Sequence, residues 1–330
     1  MKYHEERNVK NLQQLDREIL KLPPFCHNFF IGISQITSPL TRLNYAKDLY
    51  IFFNFITAEI EYFVGKKFED ISPDDLNELT VGNLEIYQNH LTTYTLDGKL
   101  HTNGEQGKMR KMASLRSFFK YFYRRGEIIQ NVLTKIDLPK IHDKEIVRLN
   151  NNEVSQILEI SRQNLRDNMI LTLFLLSGIR VSELVGLDYK DIDIKTGTFL
   201  VTRKGGKRSI LYMGEQLKEK FIQYFDSQFE TNDDKNDLQL NLPLFTKCKK
   251  RMSTRAIYDV VRKYAKIVAP LKKISPHKLR STFGTNLYKA TGDIYVVANV
   301  LGHSDVNTTR KHYAALTEDI RKKAADAVKV

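Results

Sequence analysis

The chain has 330 residues, 42% hydrophobic and 28% charged, which exceeds the roughly 100–200 residues of one ordinary domain and suits two folded domains rather than a disordered chain. No stretch approaches the roughly 20 apolar residues of a membrane span, and Met1 to Lys10 is charged rather than signal-like, so a cytoplasmic location is expected. Lys and Arg number 52 against 39 Asp and Glu, a net charge of +13 that favours a polyanionic partner; the two distant cysteines, Cys26 and Cys248, suit neither a disulfide framework nor a paired zinc site.

Residues 1–37 mix charge with the Pro23-Pro24 break, show little periodicity and read as an N-terminal extension. Ser38 can cap a helix and Pro39 suits its first position; Tyr45, Leu49, Phe52, Phe53 and Ile56 then recur on one helical face. A second helix is predicted from Thr80, with Leu84, Tyr87 and Leu91 as its stripe, followed by a polar, Gly-containing connection over residues 96–107. The third helix, about 108–125, sets Leu115, Phe118, Phe119 and Phe122 on one face and Arg116, Lys120 and Arg124 on a separate basic stripe. That stripe suits DNA phosphates, although three basic residues at this spacing equally describe a solvated face. A weak pattern with Pro139 follows, and then Asn150 with Glu153 forms a helix-starting capping pair. These signals divide the chain into a helical domain at 38–140, a linker at 141–149 and a second domain at 150–330.

The second half alternates helix and strand. The apolar run from Met169 to Leu176 reads as a buried helix closed by Gly178, and Val181 to Leu187 as a short helix after it. Phe199 to Arg203 and Ser209 to Met213 read as strands joined by Lys204, Gly205, Gly206, Lys207 and Arg208. Further helices are predicted near 215–227, 253–266, 276–289, 293–301 and 318–328. The expected fold is mainly α with a small antiparallel β-sheet.

Four polar clusters stand out. Arg180 emerges straight after the buried helix in Gly-Ile-Arg-Val-Ser-Glu-Leu, with Glu183 one turn on. Arg203-Lys204-Gly205-Gly206-Lys207-Arg208 forms a basic hairpin turn. In Ser275-Pro276-His277-Lys278-Leu279-Arg280, Ser and Pro start a helix and set His277 and Arg280 on one face of its first turn, where an imidazole and a guanidinium suit a phosphoryl group. Leu301-Gly302-His303-Ser304-Asp305 comes last, and Tyr313 stands ten residues after His303.

Taken in order, these motifs resemble the catalytic domain of the tyrosine site-specific recombinases, the phage integrase and Xer family, across residues 150–315. The N-terminal half is similar to the family's helical, SAM-like core-binding domain around Thr41-Arg42-Leu43-Asn44-Tyr45. The resemblance implies a two-domain architecture, a helical core-binding domain plus a mixed α/β catalytic domain with a C-terminal helical tail.

It further implies that Arg180 and Arg280 clamp the scissile phosphate, that His277 and His303 hydrogen-bond it, that Lys204 is the general acid and that Glu183 supports the cluster. Tyr313 becomes the nucleophile, one residue farther from His303 than the family commonly has it. Arg116, Lys120, Arg124, Arg203 and Lys207 are the candidate DNA-binding residues.

No metal, cofactor or ATP is expected, because a phosphotyrosyl bond conserves the energy of the broken linkage. The implied partner is double-stranded DNA at a specific core site, bound by a homotetramer or heterotetramer on two duplexes, with an accessory or partner recombinase possible. The implied role is chromosome dimer resolution or the integration and excision of a mobile element. A DNA-binding protein without catalysis and a relaxing topoisomerase are the alternatives.

Overall fold

The computed structural model describes residues 3–138, 147–228, 240–303 and 305–307, and the chain separates into two compact units, 1–144 and 145–330.

The first unit contains helices α1 (Tyr3–Ile19), α2 (Cys26–Gly32), α3 (Pro39–Glu59), α4 (Val81–His90) and α5 (Glu105–Arg124), and the antiparallel hairpin β1 (Thr93–Leu96) and β2 (Lys99–Thr102). The start of α3 follows from its sequence: Pro39 needs no N–H acceptor, and Ser38 Oγ accepts the Thr41 N–H at 3.2 Å. Thr80 and Asn83 cap α4 reciprocally. Leu49, Phe52, Phe53 and Ile56 of α3 and Leu115, Phe118, Phe119 and Phe122 of α5 are buried in one core.

Two features of this unit differ from the sequence reading. Residues 1–37, read as an extension, supply α1 and α2, and Leu15, Leu22, Cys26, Phe29 and Phe30 enter the same core. The rings of Phe25 and Phe29 lie 6.0 and 5.2 Å from that of Phe118. Within α1 only Leu15 is buried, and Val9, Leu12, Leu15 and Ile19, which recur at helical spacing among many charged residues, are the signal that the sequence reading passes over. The connection at 96–107 begins as the second arm of a hairpin. All four β2 residues are exposed, which removes the in-out alternation that marks a strand, and the Asp97-Gly98 turn, both residues at positive φ, was its only sequence sign.

Several basic residues of α5 are held by partners in the fold, the exposed Arg110 among them. Arg110 pairs with the buried Asp48, Lys111 Nζ donates to Asn103 Oδ1 at 2.8 Å, and Arg116 Nη2 donates to the Ile136 carbonyl.

The second unit is built on α7 (Leu165–Ser177), whose residues Asp167 to Leu175 are all buried, as a helix apolar on every side must be. Around it lie α6 (Asn151–Ile160), opened by the Asn150–Glu153 capping box, α8 (Val181–Val185), α9 (Glu215–Asp226), α10 (Thr254–Val268), α11 (Pro276–Thr291) and α12 (Ile294–Leu301). Strands β3 (Ile192–Asp193), β4 (Thr198–Thr202) and β5 (Arg208–Tyr212) form an antiparallel sheet in that order, and β6 (Thr246–Lys247) and β7 (Lys250–Arg251) a small hairpin. The helix predicted at 318–328 lies outside the described residues. Among the described residues no helix is long and apolar enough to cross a membrane.

Because α2 is part of the core, Phe29→Ala should destabilise the first unit by about 3–5 kcal/mol. The check is urea unfolding of the full chain: the transition of the first unit should move to lower denaturant while that of the second stays in place.

Candidate active site

The site is assembled where α7, α11, α12 and the β4–β5 turn meet within the second unit. Helix α7 ends at Gly178, left-handed at φ 61, whose N–H bonds the Phe174 carbonyl at 3.1 Å. A Cβ built on Gly178 would lie 2.3 Å from Phe283 Cδ1 of α11 and 2.9 Å from Leu301 Cδ2 of α12, so glycine serves both conformation and contact.

Arg180 follows as the residue that opens α8. Glu183, buried at 3% exposure, reaches back to it: Oε2 accepts the Arg180 N–H at 3.0 Å and Oε1 accepts Nη1 at 2.8 Å. The sequence allowed a weak surface pair here; burial of the carboxylate makes it a fixed support for the guanidinium instead. Arg180 Nη2 then donates to the Gly302 carbonyl at 2.8 Å.

Helix α11 places His277 at the surface and Arg280 inside, although both stand in its first turns. Arg280 Nη1 donates to the Gly178 carbonyl and Nη2 to the Leu301 carbonyl. It thereby ties the ends of α7 and α12 together.

Between β4 and β5, the Arg203 N–H donates to the Lys207 carbonyl at 2.7 Å and the Gly206 N–H to the Arg203 carbonyl at 3.1 Å. Gly205 and Gly206, at φ 79 and 78, give this tight turn its shape. Lys204 lies in the turn, next to Arg203. Arg203 points inward: Nη2 donates to the Val300 carbonyl at 3.4 Å, and a Cβ on Gly302 would lie 1.4 Å from Nη1. Lys207 is exposed.

Three successive carbonyls at the end of α12, those of Val300, Leu301 and Gly302, therefore accept from Arg203, Arg280 and Arg180 in turn. The His303 N–H bonds the Ala298 carbonyl at 2.9 Å, which holds the His303 backbone against the same helix end. The result is three guanidiniums with one carboxylate, a net positive focus suited to a phosphodiester. Tyr313 lies outside the described residues.

Of the candidate DNA-binding residues in the first unit, Lys120 and Arg124 are exposed on α5. Arg116 and Lys120, with Asn131, Leu133 and Thr134, line a cavity of about 270 Å³. The reception of guanidiniums by backbone carbonyls was not seen in the sequence, since carbonyls carry no residue signature; the glycines at 178 and 302 were its only trace.

The model of the phage integrase family matches residues 147–319, a span that contains each of these catalytic-unit residues and Tyr313. The chain belongs to the phage integrase family. It is similar to tyrosine recombinase XerC of Thermodesulfovibrio yellowstonii, 33% identical over 293 residues, which covers 85% of this chain and 87% of that protein. Tyrosine recombinase XerC of Caldanaerobacter subterraneus subsp. tengcongensis is 33% identical over 314 residues, 92% of this chain and 86% of the relative. Among solved structures, XerH site-specific recombinase bound to palindromic difH substrate in a post-cleavage complex shares the fold, with a TM-score of 0.63 and 20% identity over 87% of this chain and 80% of that one. Family membership makes the protein a tyrosine recombinase, with the mainly helical architecture expected from its sequence.

At Gly178, alanine would meet both an unfavourable φ and Phe283. Gly178→Ala should cost the second unit about 1–3 kcal/mol, measurable as a lowered thermal midpoint; an unchanged midpoint would contradict the close packing of α7, α11 and α12.

Proposed function

We propose that this tyrosine recombinase cuts and rejoins double-stranded DNA at a specific core site through a covalent bond to Tyr313. The observation that carries the reading is the convergence of Arg180 and Arg280 on one helix end, with Arg180 oriented by the buried Glu183. A guanidinium has five N–H donors, of which Arg180 places two on Glu183 and the Gly302 carbonyl, and a partly exposed side chain of this kind can offer others to phosphate oxygens.

In this reading, the Tyr313 hydroxyl gives up its proton to water, its oxygen bonds to phosphorus, and the bond from phosphorus to the 5′ oxygen breaks. Lys204 protonates the departing 5′ oxygen, a step worth about 10²–10⁴-fold in rate for a placed acid. Arg180 and Arg280 neutralise charge that gathers on the non-bridging oxygens, where fixed donors help most. His277 and His303 supply further hydrogen bonds. The reverse steps, with a 5′ hydroxyl from a second strand, rejoin the DNA.

The helical first unit would hold the core site through Lys120 and Arg124, with Lys207 adding a phosphate contact near the catalytic turn; Arg116, bonded to the Ile136 carbonyl, does not join them. Four protomers on two duplexes, identical or of two kinds, would exchange strands in the cytoplasm. Similarity to the XerC proteins over most of both chains supports an Xer-like role in chromosome dimer resolution over integration of a mobile element.

The test is incubation of the protein and its Tyr313→Phe variant with nicked suicide duplexes in the presence of a chelator. The wild type should give an SDS-resistant, protease-sensitive adduct and the variant none. An adduct retained by the variant would remove Tyr313 as nucleophile.

A further inference from the structure

The sequence places Arg203 among residues that would touch DNA, yet its side chain turns away from the surface of the hairpin. The guanidinium lies over Gly302, where even a methyl group would overlap Nη1, and Nη2 reaches the Val300 carbonyl at 3.4 Å. Its Nε–H is buried and has no acceptor among the described residues. A half-buried, always charged group whose buried Nε–H lacks an acceptor among the described residues is a poor choice for stability alone, and such positions call for a functional reason.

The backbone of the same residue closes the catalytic turn. Arg203 donates its N–H to the Lys207 carbonyl and accepts the Gly206 N–H on its own carbonyl, so both turn bonds run through it. The two glycines beside Lys204 otherwise leave the turn free to change shape. The Arg203 side chain fastens the turn's first residue, next to Lys204 in the chain, to the helix end that also receives Arg180 and Arg280.

The geometry points to Arg203 as a positioning residue that clamps the Lys204 turn onto the Val300–Gly302 helix end and so sets the general acid in register with the arginine pair. The inference rests on the reading of Lys204 as the acid. Arg203 touches no reacting atom in this role; it acts through the backbone of its neighbour. Gly302 belongs to the same device, because any side chain there would displace the guanidinium.

Two measurements on the full chain test it. In the first, hydrogen exchange is followed by mass spectrometry in wild type, Arg203→Ala and Arg203→Met, the latter keeping an apolar stem over Gly302 should alanine impair folding. Peptides covering residues 202–208 should exchange about 10-fold faster in both variants while those of α7 do not change; unchanged exchange in the turn overturns the clamp.

The second uses a nicked duplex chosen by wild-type adduct formation from a pool with a randomised core, remade with either oxygen or sulfur at the scissile 5′ bridging position. A thiolate leaves without needing a proton. The variants should cut the oxygen substrate about 10²-fold more slowly than wild type, the loss expected when a reacting group is misplaced by about 1 Å, and should approach wild-type rate on the sulfur substrate with DNA affinity unaltered. Equal slowing on both substrates overturns the proposal. Lys204→Ala run in parallel separates the two readings: if sulfur fails to rescue it while the turn still loosens in the Arg203 variants, the assignment of the acid is wrong and the clamp remains.

Discussion

The gathering of arginines in the second unit depends on how one helix end satisfies its carbonyl groups. The last carbonyls of an α-helix have no partner within the helix and carry the negative end of its dipole. At the end of α12 the left-handed Gly302 and His303 turn back, so that their N–H groups take the carbonyls of Asn299 and Ala298. The next three, Val300, Leu301 and Gly302, take arginines 203, 280 and 180. A capping problem that proteins often leave to water is here answered by three arginine side chains.

This arrangement explains how like charges can be gathered before DNA arrives. Three guanidiniums held close would repel one another, and carbonyl dipoles together with the Glu183 carboxylate offset that repulsion without neutralising it. What remains is a positive focus that an incoming phosphodiester completes. Because the anchors are backbone atoms of packed helices, the donors need little rearrangement when charge develops, which is the condition for electrostatic catalysis. Glycines at 178 and 302 make the geometry reachable: a side chain at the first would strike Phe283, and at the second would strike Arg203.

The first unit solves a different problem with the same kind of residue. Arg110 and Arg116 of α5 are spent on Asp48 and on the Ile136 carbonyl, leaving Lys120 and Arg124 exposed on that helix. A basic stripe at helical spacing thus contains both supports and free cations, and spacing alone does not separate them.

Helices announced by local chemistry were legible in the sequence: Ser38-Pro39 opens α3, Thr80 with Asn83 opens α4, Asn150 with Glu153 opens α6, and Gly178 closes α7. The candidate site residues Arg180, Lys204, His277, Arg280, His303 and Tyr313 could be named because they stand in motifs that survive as strings of letters, and the structure brings Arg180 and Arg280 of that set onto one helix end. Strand β2 was not legible, since all four of its residues are exposed and without burial there is no alternation to read, and the Val9, Leu12, Leu15, Ile19 stripe of α1 was obscured by the charged residues around it. The inward turn of Arg203 and the sharing of three carbonyls among three arginines were decided only by tertiary structure. Two of those bonds join residues about a hundred positions apart and the third, from Arg280 to Leu301, residues 21 apart, all to backbone atoms that every residue possesses, so the interaction leaves its donor in the sequence and no trace of its acceptor.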